Sequence, residues 1–290
     1  HDSDYSGAPA HRGTVDSGRW KNPYTSTPGV LPMSAGKEGR AMEGPTGTLQ
    51  RAAVILDAFT GTDHMNLSQV VAATGLPRTS VHRVLEQLVA LRWVHRDGMD
   101  YRLGARMIEL GAAAARQNVL RRAALPTLQR LHRLSGCVVH LGIRDGADAV
   151  YLDKVGGESA PHVRSRVGDR LPLSTSTSGK ALLSVESLSP SDSPDVVRAR
   201  ELRMVADMER CMKGFGCVAV PIGRIGESEA AALSVFGPTA RVGDRRLLSA
   251  AQAAAAEILR HLDPARRGAA TGTVGNHDGT AGRPRGAAFV

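Results

Sequence analysis

The sequence predicts an α+β fold in which a small helical block with a β-hairpin precedes a larger mixed α/β block. Residues 46–116 carry apolar residues at helical spacing and end in a strand–turn–strand pattern, whereas residues 119–263 alternate strand and helix signals. Residues 1–45 and 264–290 are low-complexity segments without apolar periodicity, and we expect both to be disordered. The 290 residues therefore leave room for two folded domains between two tails.

Composition and charge narrow the class of protein. Hydrophobic residues make up 42% of the chain and charged residues 22%, as in ordinary globular proteins. No stretch approaches the ~18 apolar residues of a membrane-spanning helix, and the N-terminal residues lack the apolar run of a secretory signal. The net charge of +9 favours a polyanionic partner such as nucleic acid, although the excess is spread along the chain. Aromatic residues amount to 3%, which disfavours base stacking on single strands.

Cysteine usage bears on the compartment. The three cysteines are Cys137, Cys211 and Cys217. The sparse, odd number and the absence of a CxxC pair argue against a disulfide framework and a structural zinc site, and favour a reducing cytoplasm. The chain begins with His1, and we consider Met33 or Met42 as a native start.

The first block begins with two predicted helices. Gly61 ends the first helix, whose apolar stripe is Leu49, Ala52, Ala53, Leu56 and Phe59. Asn66 is predicted to cap the second helix, with Gln69 three residues later as its capping-box partner. The apolar face of this second helix is Leu67, Val70 and Val71.

A third helix follows a short turn. Gly75 ends the second helix, and Pro77 suits the first turn of the third. The i, i+3, i+4, i+7 spacing predicts that the third helix buries Val81, Val84, Leu85, Leu88 and Leu91.

A hairpin and a linker helix complete the block. Residues 94–104 predict two short strands joined by a tight turn at Asp97-Gly98. A helix is then predicted over 105–118, and it continues into or abuts another helix. Pro126 can lie only at the start of that next helix or at a kink.

The second block alternates strands and helices. We predict an antiparallel sheet with helices on one side. The predicted elements are a hairpin over 137–146 and 147–156, a strand over 160–168, a loop and helix over 175–185, strands over 217–225 and 229–237, and a helix over 243–262.

The order of elements across residues 46–104 is typical of a winged helix-turn-helix. Its third helix suits the major groove of duplex DNA, where residues near the helix N-terminus reach base edges and phosphates. The face opposite the predicted core provides the candidate DNA contacts Arg78, Thr79, Ser80, His82 and Arg83. Arg83 is the best candidate for a bidentate guanine contact. Arg96 and Arg102 flank the wing tip, where we expect contacts to the DNA backbone or the minor groove.

A small helical bundle with solvated surface arginines is the plain alternative. The helix cap, the glycine turn, the proline and the basic wing occur together in the order that a winged helix requires, which favours DNA binding. His82 suits a phosphate contact and helix packing equally well. Glu86 and Gln87 are interpreted as bystanders.

Both blocks resemble the isocitrate lyase regulator (IclR) family. Within residues 49–117, the stretch GLPRTSVHRVLEQL is similar to that family's recognition-helix signature. The stretch RSRVGDRLPLSTSTSGKALL, at 164–183, is similar to its central loop-and-helix motif. The runs CVAVPI and ALSVFGP, at 217–222 and 232–238, resemble two late strands. The resemblance covers about 46–263 and leaves only the tails outside it.

The resemblance implies a winged-helix DNA-binding domain (46–104), a dimerising linker helix (105–118) and a GAF-like effector domain (119–263). Family members typically bind a small organic acid or aromatic compound and repress or activate nearby genes. The implied partners are a palindromic double-stranded DNA operator, a small organic effector and further copies of the chain, as a homodimer or a dimer of dimers, with no membrane. The implied effector-binding residues are Ser176, Thr177, Gly179, Cys217 and Ser234, with backbone amides near Gly179 holding a carboxylate.

The implied pocket departs from the family pattern. Ser174 stands where the family often has His, and Phe236 where it often has a second Ser. Glu209 is followed by Arg210 where the family has paired acids. Phe236 adds bulk and removes a hydroxyl, which suits an apolar or aromatic ligand and equally the absence of a ligand. Cys217 suits a structural thiol equally well, so a ligand-independent regulator whose second block only oligomerises is the alternative.

An enzyme built on the second block is a further alternative. The sequence contains no GxSxG motif, no Gly-rich phosphate loop and no metal-spaced His/Cys cluster. Thr177 and Lys180 form a hydroxyl–lysine spacing, but no downstream residue completes a Ser–Lys site. We therefore expect a DNA-binding regulator without cofactor or metal, associated with the nucleoid, rather than an enzyme.

Overall fold

A computed structural model describes residues 47–156, 163, 165–187, 189, 192–210, 212–226 and 229–262. The two tails that the sequence predicts to be disordered lie outside these residues.

The first part of the described chain is helical with a small sheet. Its elements are α1 (Thr48–Ala58), β1 (Met65–Asn66), α2 (Leu67–Thr74), α3 (Arg78–Ala90), β2 (Val94–Asp97) and β3 (Asp100–Leu103). The strands pair antiparallel in the order β1-β3-β2. Their shared core is Ile55, Phe59, Val70, Leu76, Val81, Val84, Leu85, Leu88, Val94 and Tyr101. The predicted order of three helices followed by a hairpin is confirmed.

Local hydrogen bonds explain why α2 and α3 begin and end where they do. The Asn66 side chain accepts the Gln69 N–H at 3.0 Å, and the Gln69 side chain accepts the Asn66 N–H at 2.8 Å, so the predicted capping box is confirmed. Gly75 ends α2 with a φ of 67°, which glycine adopts without strain. Pro77 is the N-cap of α3, one residue before the predicted position in the first turn.

Predictions for α1, α3 and the hairpin are wrong by small shifts. The α1 helix ends at Ala58 rather than at Gly61, and Leu49 of its predicted apolar stripe is 87% exposed while Ile55 is buried. Leu91 is 58% exposed rather than buried, because α3 ends at Ala90 and the chain leaves the helix at Arg92 with a φ of 62°. The half-buried Trp93 packs against the core instead. The hairpin turn is Gly98-Met99 rather than Asp97-Gly98, because Asp97 still pairs with Asp100 across the strands.

Two consecutive helices connect this part to the rest of the chain, namely α4 (Ala105–Gln117) and α5 (Val119–Ser135). Asn118 separates them, and its side chain accepts the Arg121 N–H at 2.8 Å as the cap of α5. No residue of α4 is buried. Pro126 lies inside α5, so the helix-start position is excluded, and the ring removes one interior backbone hydrogen bond.

The second part contains a six-stranded antiparallel sheet in the order β6-β5-β4-β9-β8-β7. In chain order its elements are β4 (Val138–Asp145), β5 (Asp148–Val155), β6 (Arg170–Pro172), α6 (Thr177–Leu183), α7 (Pro194–Leu202), β7 (Val205–Met208), β8 (Phe215–Ile225), β9 (Glu229–Pro238), α8 (Thr239–Val242) and α9 (Arg245–Leu262).

Helices cover both faces of this sheet, so the prediction of helices on one side is wrong. The α5 and α9 helices pack on one face, in a core that contains Leu128, Leu131, Val139, Leu141, Val218, Val220, Leu233, Val235, Ala251, Ala255 and Ile258. The α6 and α7 helices pack on the other, in a core of Ala149, Leu173, Ala181, Leu182, Ala199, Val205, Ala219, Ala230 and Ala232. The physical reason is visible in β8. Successive side chains of a strand point to opposite faces, and every residue from 218 to 222 is buried, so both faces of the sheet are covered.

The segment between β5 and β6 also departs from prediction. The predicted strand over 160–168 falls partly on residues outside the described ones, and residues 165–168 form a loop and turn. The strand begins later, at Arg170, and Gly168 donates its N–H to the Tyr151 carbonyl at 2.8 Å. The α7 helix and the β7 strand were not predicted, although Ser193 and Pro194 are a recognisable helix start.

Candidate functional site

The exposed face of α3 carries the candidate DNA contacts. The buried residues Val81, Val84, Leu85 and Leu88 hold the opposite face of the helix against the core. Ser80 is half-buried, and the exposed polar side chains are those of Arg78, Thr79, His82, Arg83, Glu86 and Gln87. The helix therefore presents its N-terminal half and its arginines to solvent, which is the geometry for entering a major groove.

The two arginines of α3 differ in their surroundings. Arg78 donates Nη1 to the Ser68 hydroxyl at 3.1 Å, and this bond ties the start of α3 to the first turn of α2. Arg83 makes no hydrogen bond or ion pair with any described residue. Its guanidinium is therefore available for an external acceptor.

The hairpin places its two arginines on opposite faces. Arg96 pairs with Tyr101 across the strands and Arg102 pairs with His95, so Arg96 and Arg102 point to opposite sides. The Tyr101 side faces the core, since Tyr101 is 3% exposed. The Arg102 side chain makes no hydrogen bond or ion pair within the described part of the chain and lies on the outer, solvent-exposed face.

Arg96 is engaged by three groups of the protein itself. Its Nε donates to the Gly98 carbonyl at 3.0 Å, and its Nη1 lies 3.3 Å from Glu86 Oε1. Its guanidinium carbon lies 5.6 Å from the centre of the Tyr101 ring. Arg96 therefore lies along the inner side of the hairpin, against α3.

Glu86 is the residue that the sequence interpretation missed. It lies on the exposed face of α3, where it accepts from Arg96, and its carboxylate is 3.9 Å from His82 Nε2. The interpretation as a bystander is therefore incomplete. Helical spacing indicated the His82 contact, but the contact to Arg96 depends on how the hairpin folds back on the helix.

The charge at the wing tip is mixed rather than uniformly basic. Asp97 and Asp100 face each other across the strands, on the same side as Arg102. Asp63 and His64 line the same shallow depression. Arg102 is thus the basic group on a surface that also carries carboxylates.

The start of α6 uses two of the predicted effector contacts for its own folding. The Ser176 hydroxyl accepts the Gly179 N–H at 3.0 Å and donates to the Pro172 carbonyl at 2.7 Å. A Cβ on Gly179 would lie 2.4 Å from the Leu173 backbone, so only glycine allows this close approach. The Gly179 amide is occupied in this arrangement. Thr177 is buried in the same turn.

The other two predicted contacts lie on the sheet face beneath α6. Ser234 is directly opposite His140 on one side and Ala219 on the other, and Cys217 is opposite Phe236. Side chains directly opposite in an antiparallel pair share a face, so these residues lie together. Cys217 is half-buried and forms no disulfide with a described residue. The structure therefore brings Cys217 and Ser234 onto one face.

Two buried residues on this face were not predicted, namely His140 and Tyr151. Their rings stack with centroids 4.4 Å apart, and the His140 Nε2 lies 2.7 Å from the Ser165 hydroxyl. Lys154 donates to the carbonyls of Val163 and Ser165 at 2.8 and 2.6 Å, which holds the loop over the same face. A single histidine inside the apolar run of β4 was the available sequence signal.

Burial sets the protonation of these two rings. Burial, together with the nearby charge of Lys154, lowers the pKa of His140 to about 3, so the imidazole is neutral. Burial, and after it the nearby Cys217, raises the pKa of Tyr151, and the Ser178 and Ser234 hydroxyls oppose this rise only in part. Both rings are therefore uncharged near neutral pH.

The same face holds two buried polar atoms that lack a hydrogen bond of normal geometry. His140 Nδ1 and Ser234 Oγ are buried and make no hydrogen bond of normal geometry with the described residues. His140 is 2% exposed and Ser234 is 1% exposed. Buried polar atoms are normally paired, so an added group that could hydrogen-bond here would recover free energy.

Phe236 lies beside this cluster, at its Cys217 end. Its ring stacks on Phe215, with centroids 5.8 Å apart and planes 13° apart. Both rings are half-buried. Two stacked aromatic rings therefore fill this end of the cluster, where the sequence predicts the bulk of Phe236 alone.

The described residues hold neither a cluster of metal ligands nor a membrane-spanning helix. These residues include no group of three or more His, Cys, Asp or Glu side chains arranged to hold a metal ion. Within the same ranges, no helix is long and apolar enough to cross a membrane.

Two family models match the chain. Residues 48–98 match the IclR helix-turn-helix domain, and residues 112–193 match the bacterial transcriptional regulator IclR C-terminal domain. These matches fall on the helical part with its hairpin and on the helix-and-sheet part, in that order.

Relatives extend the likeness along most of the chain. The HTH-type transcriptional regulator XynR of Escherichia coli K12 is 29% identical over 225 residues, which cover 69% of this chain and 89% of that protein. The HTH-type transcriptional repressor AllR of the same strain is 29% identical over 208 residues, which cover 63% of this chain and 77% of that protein.

A solved structure shares the fold. An IclR homolog from Microbacterium hydrocarbonoxydans, complexed with 4-hydroxybenzoate, superimposes with a TM-score of 0.63 at 24% identity. The alignment covers 74% of this chain and 99% of that one. A helix-turn-helix part is followed by a mixed α/β part in a single chain, and both parts match models of one family. The chain therefore belongs to the IclR family of helix-turn-helix transcriptional regulators.

Proposed function

We propose that the protein binds a palindromic DNA operator sequence-specifically, with α3 in the major groove. One observation carries this proposal: the exposed face of α3 presents Arg83 without any partner in the described chain, beside the exposed Thr79 and His82. A free guanidinium at this position suits a bidentate guanine contact, which is worth about 1–3 kcal/mol of base discrimination. Arg102, on the outer face of the wing, supplies a phosphate contact.

We also propose a homodimer that forms through α4, and a dimer of dimers as the larger assembly. No residue of α4 is buried, although the helix carries large apolar side chains: Ile108 is 76% exposed and Leu110 is 40% exposed. Leu49, near the start of the described chain, is 87% exposed. Apolar side chains in this number favour burial against a second copy. Two recognition helices related by a two-fold axis would then contact half-sites about 34 Å apart, or a multiple of that.

The sheet face beneath α6 is proposed to bind a small organic effector. His140 Nδ1 and Ser234 Oγ, which lack a hydrogen bond of normal geometry, would receive a hydroxyl or carboxyl group, and the stacked rings of His140 and Tyr151 would line an aromatic ring. An IclR homolog of the same fold is complexed with 4-hydroxybenzoate, which supports an aromatic acid. The amide of Gly179 is not part of this proposal, because Ser176 already accepts from it.

A ligand-independent regulator is the second candidate. The Ser176 hydroxyl already accepts the Gly179 N–H, and Phe236 adds bulk beside the proposed effector site. Both observations favour a regulator that binds no ligand. A catalytic role for the second part is not proposed. Lys180 of the hydroxyl–lysine spacing is 6% exposed and forms an ion pair with Asp195, so it is not placed to act as a base for a hydroxyl. AllR is a repressor by name, and we propose repression by a DNA-bound protein at the cytoplasmic nucleoid.

The proposed DNA contact is tested by selecting duplexes from a random library with the full chain, followed by anisotropy titrations on the selected and a scrambled duplex. We expect a clear preference for the selected duplex. Arg83→Ala should weaken specific binding by about 1–3 kcal/mol. Arg83→Lys keeps the charge but loses the bidentate geometry, so it should keep the affinity for the scrambled duplex and lose the preference. Equal binding of both duplexes by the unmodified protein would contradict sequence-specific binding.

The effector proposal is tested with 4-hydroxybenzoate and a panel of related aromatic acids. We expect at least one compound to raise the thermal unfolding midpoint and to change the affinity for the selected duplex. Ser234→Ala should reduce both responses. If the whole panel changes neither quantity, the ligand-independent regulator is the better description.

A further inference from the structure

A single side-chain hydrogen bond joins the recognition helix to the wing in the described chain. It runs from Arg96 Nη1 on β2 to Glu86 Oε1 on α3, at 3.3 Å. Arg96 and Glu86 are each about half exposed. The buried Val94 and Tyr101 pack the wing against the core that it shares with α3, and this ion pair adds a polar contact between the wing and the exposed face of α3.

Several contacts keep Arg96 in this place. The Gly98 carbonyl accepts from its Nε, and the ring of the buried Tyr101 lies beneath its guanidinium. Because Glu86 accepts from its Nη1, the guanidinium is directed towards α3, while about half of the Arg96 side chain stays exposed. Arg102, on the other face, has no comparable contact among the described residues.

Glu86 also bears on the charge that DNA meets. It is the only carboxylate among the six exposed residues of the α3 face, and it lies 3.9 Å from His82. A carboxylate in this position repels the phosphate backbone and at the same time occupies a cation that could bind phosphate. Both effects lower affinity for DNA of any sequence, since that affinity comes mainly from phosphate contacts.

We propose that Glu86 is a specificity-determining residue for DNA recognition. It positions the wing through Arg96 and suppresses sequence-independent binding by withholding that arginine from phosphate. This inference rests on the proposed DNA-binding function of α3. It assigns Arg96 a positioning role and leaves the phosphate contact of the wing to Arg102.

The experiment measures the salt dependence of binding by the full chain to a scrambled duplex and to the selected duplex. Glu86→Gln should bind the scrambled duplex severalfold more tightly and lower the preference for the selected one. It should also steepen the salt slope by about one unit, because Arg96 gains a phosphate contact. Arg96→Ala alone should leave the slope on the scrambled duplex unchanged.

The double variant E86Q/R96A separates the arginine from the charge change. Its salt slope should return to that of the unmodified protein, because the freed cation is gone. A slope that stays steep in the double variant would overturn the proposal, and so would unaltered binding by E86Q. Glu201→Gln is the control, since Glu201 is an exposed acid on α7 and the substitution changes the net charge equally. Circular dichroism of every variant establishes that each is folded.

The role of Glu86 and the proposed sequence-specific binding are tested by separate measurements, so each can fail without the other. The slope on the scrambled duplex is measurable even if no operator is found, so it tests Glu86 by itself. The preference of the unmodified protein for its selected duplex tests sequence-specific binding by itself.

Discussion

Single residues explain several local features of this protein. Gly179 is an example, because the close approach of α6 to the Leu173 backbone leaves no room for a Cβ. His140 is another, because burial on the sheet face keeps its ring neutral and leaves one of its nitrogens without a hydrogen bond. In both cases the neighbours of the residue, rather than its own propensity, decide its role.

Gly179→Ala should destabilise the sheet-containing part by about 1–3 kcal/mol, because the added Cβ would meet backbone atoms at 2.4 Å. Urea unfolding followed by circular dichroism measures the change. Gly111→Ala is the matched control: a Cβ there meets nothing within 4 Å, and the helix should gain about 0.5–1 kcal/mol. Equal effects of the two substitutions would contradict the packing argument.

His140 should make stability depend on pH. Its pKa falls from an ordinary value of 6.5 to about 3 on folding, so between these values the unfolded chain binds a proton that the folded chain does not. Stability should therefore fall as the pH drops below 6.5, by up to about 1.4 kcal/mol per pH unit from this group. Thermal unfolding at pH 7 and 5.5 measures the change.

His140→Asn should flatten this dependence, whatever the stability of the variant at pH 7. His261→Asn is the control, because His261 is exposed near the end of α9 in the same part of the chain. A pH dependence that is the same in His140→Asn and in the unmodified protein would assign the effect to other groups.

Secondary-structure elements decide which side chains act together. In the β2–β3 hairpin, the two-residue period puts Arg96 against α3 and Arg102 on the outer face. The sequence identified both arginines as wing residues, but treated them as equivalent. The turn at Gly98-Met99, one residue later than predicted, changes no face but completes the pairing of Asp97 with Asp100.

Arg102→Ala should lower the salt slope by about one unit on both the selected and the scrambled duplex, because one phosphate contact is lost. The measurement is anisotropy at stepped salt concentrations. Arg198→Ala on α7 removes the same charge from an exposed site far along the chain, and it should leave the slope unchanged. An unaltered slope in Arg102→Ala would remove Arg102 from the phosphate contacts.

The described part of the molecule contains three hydrophobic cores, and α4 lies between the first core and the other two. The first core lies within the helices and hairpin before residue 104, and the others lie on the two faces of the six-stranded sheet. Between them α4 buries nothing. A connecting helix that exposes Ile108 and buries no residue within the described chain is the feature that favours assembly with a second copy.

Ile108→Glu should weaken self-association and, with it, binding to a two-half-site duplex, because a charge replaces an apolar side chain that is 76% exposed in the single chain. Sedimentation velocity measures the assembly state. Leu134→Glu, at the end of α5, is a control of similar exposure (74%) outside the proposed dimer surface. If Ile108→Glu sediments as the unmodified protein does, α4 is not the dimer contact.

The amino-acid sequence by itself determined the family and the order of the elements up to α5. Capping at Asn66 and Gln69, the left-handed turn at Gly75 and the apolar stripe of α3 are local signals, because each depends on residues within a few positions of one another. Periodicity and composition are equally local. These signals sufficed for the winged helix and for most strands of the sheet.

Only the tertiary structure decided which of the named residues meet. The pairing of Arg96 with Glu86 depends on how a hairpin folds back on a helix. The cluster of His140, Tyr151 and Ser234 depends on register between strands far apart in the chain, as does the presence of helices on both faces of the sheet. Contacts of this kind are set by long-range packing, which the spacing of neighbouring residues does not encode.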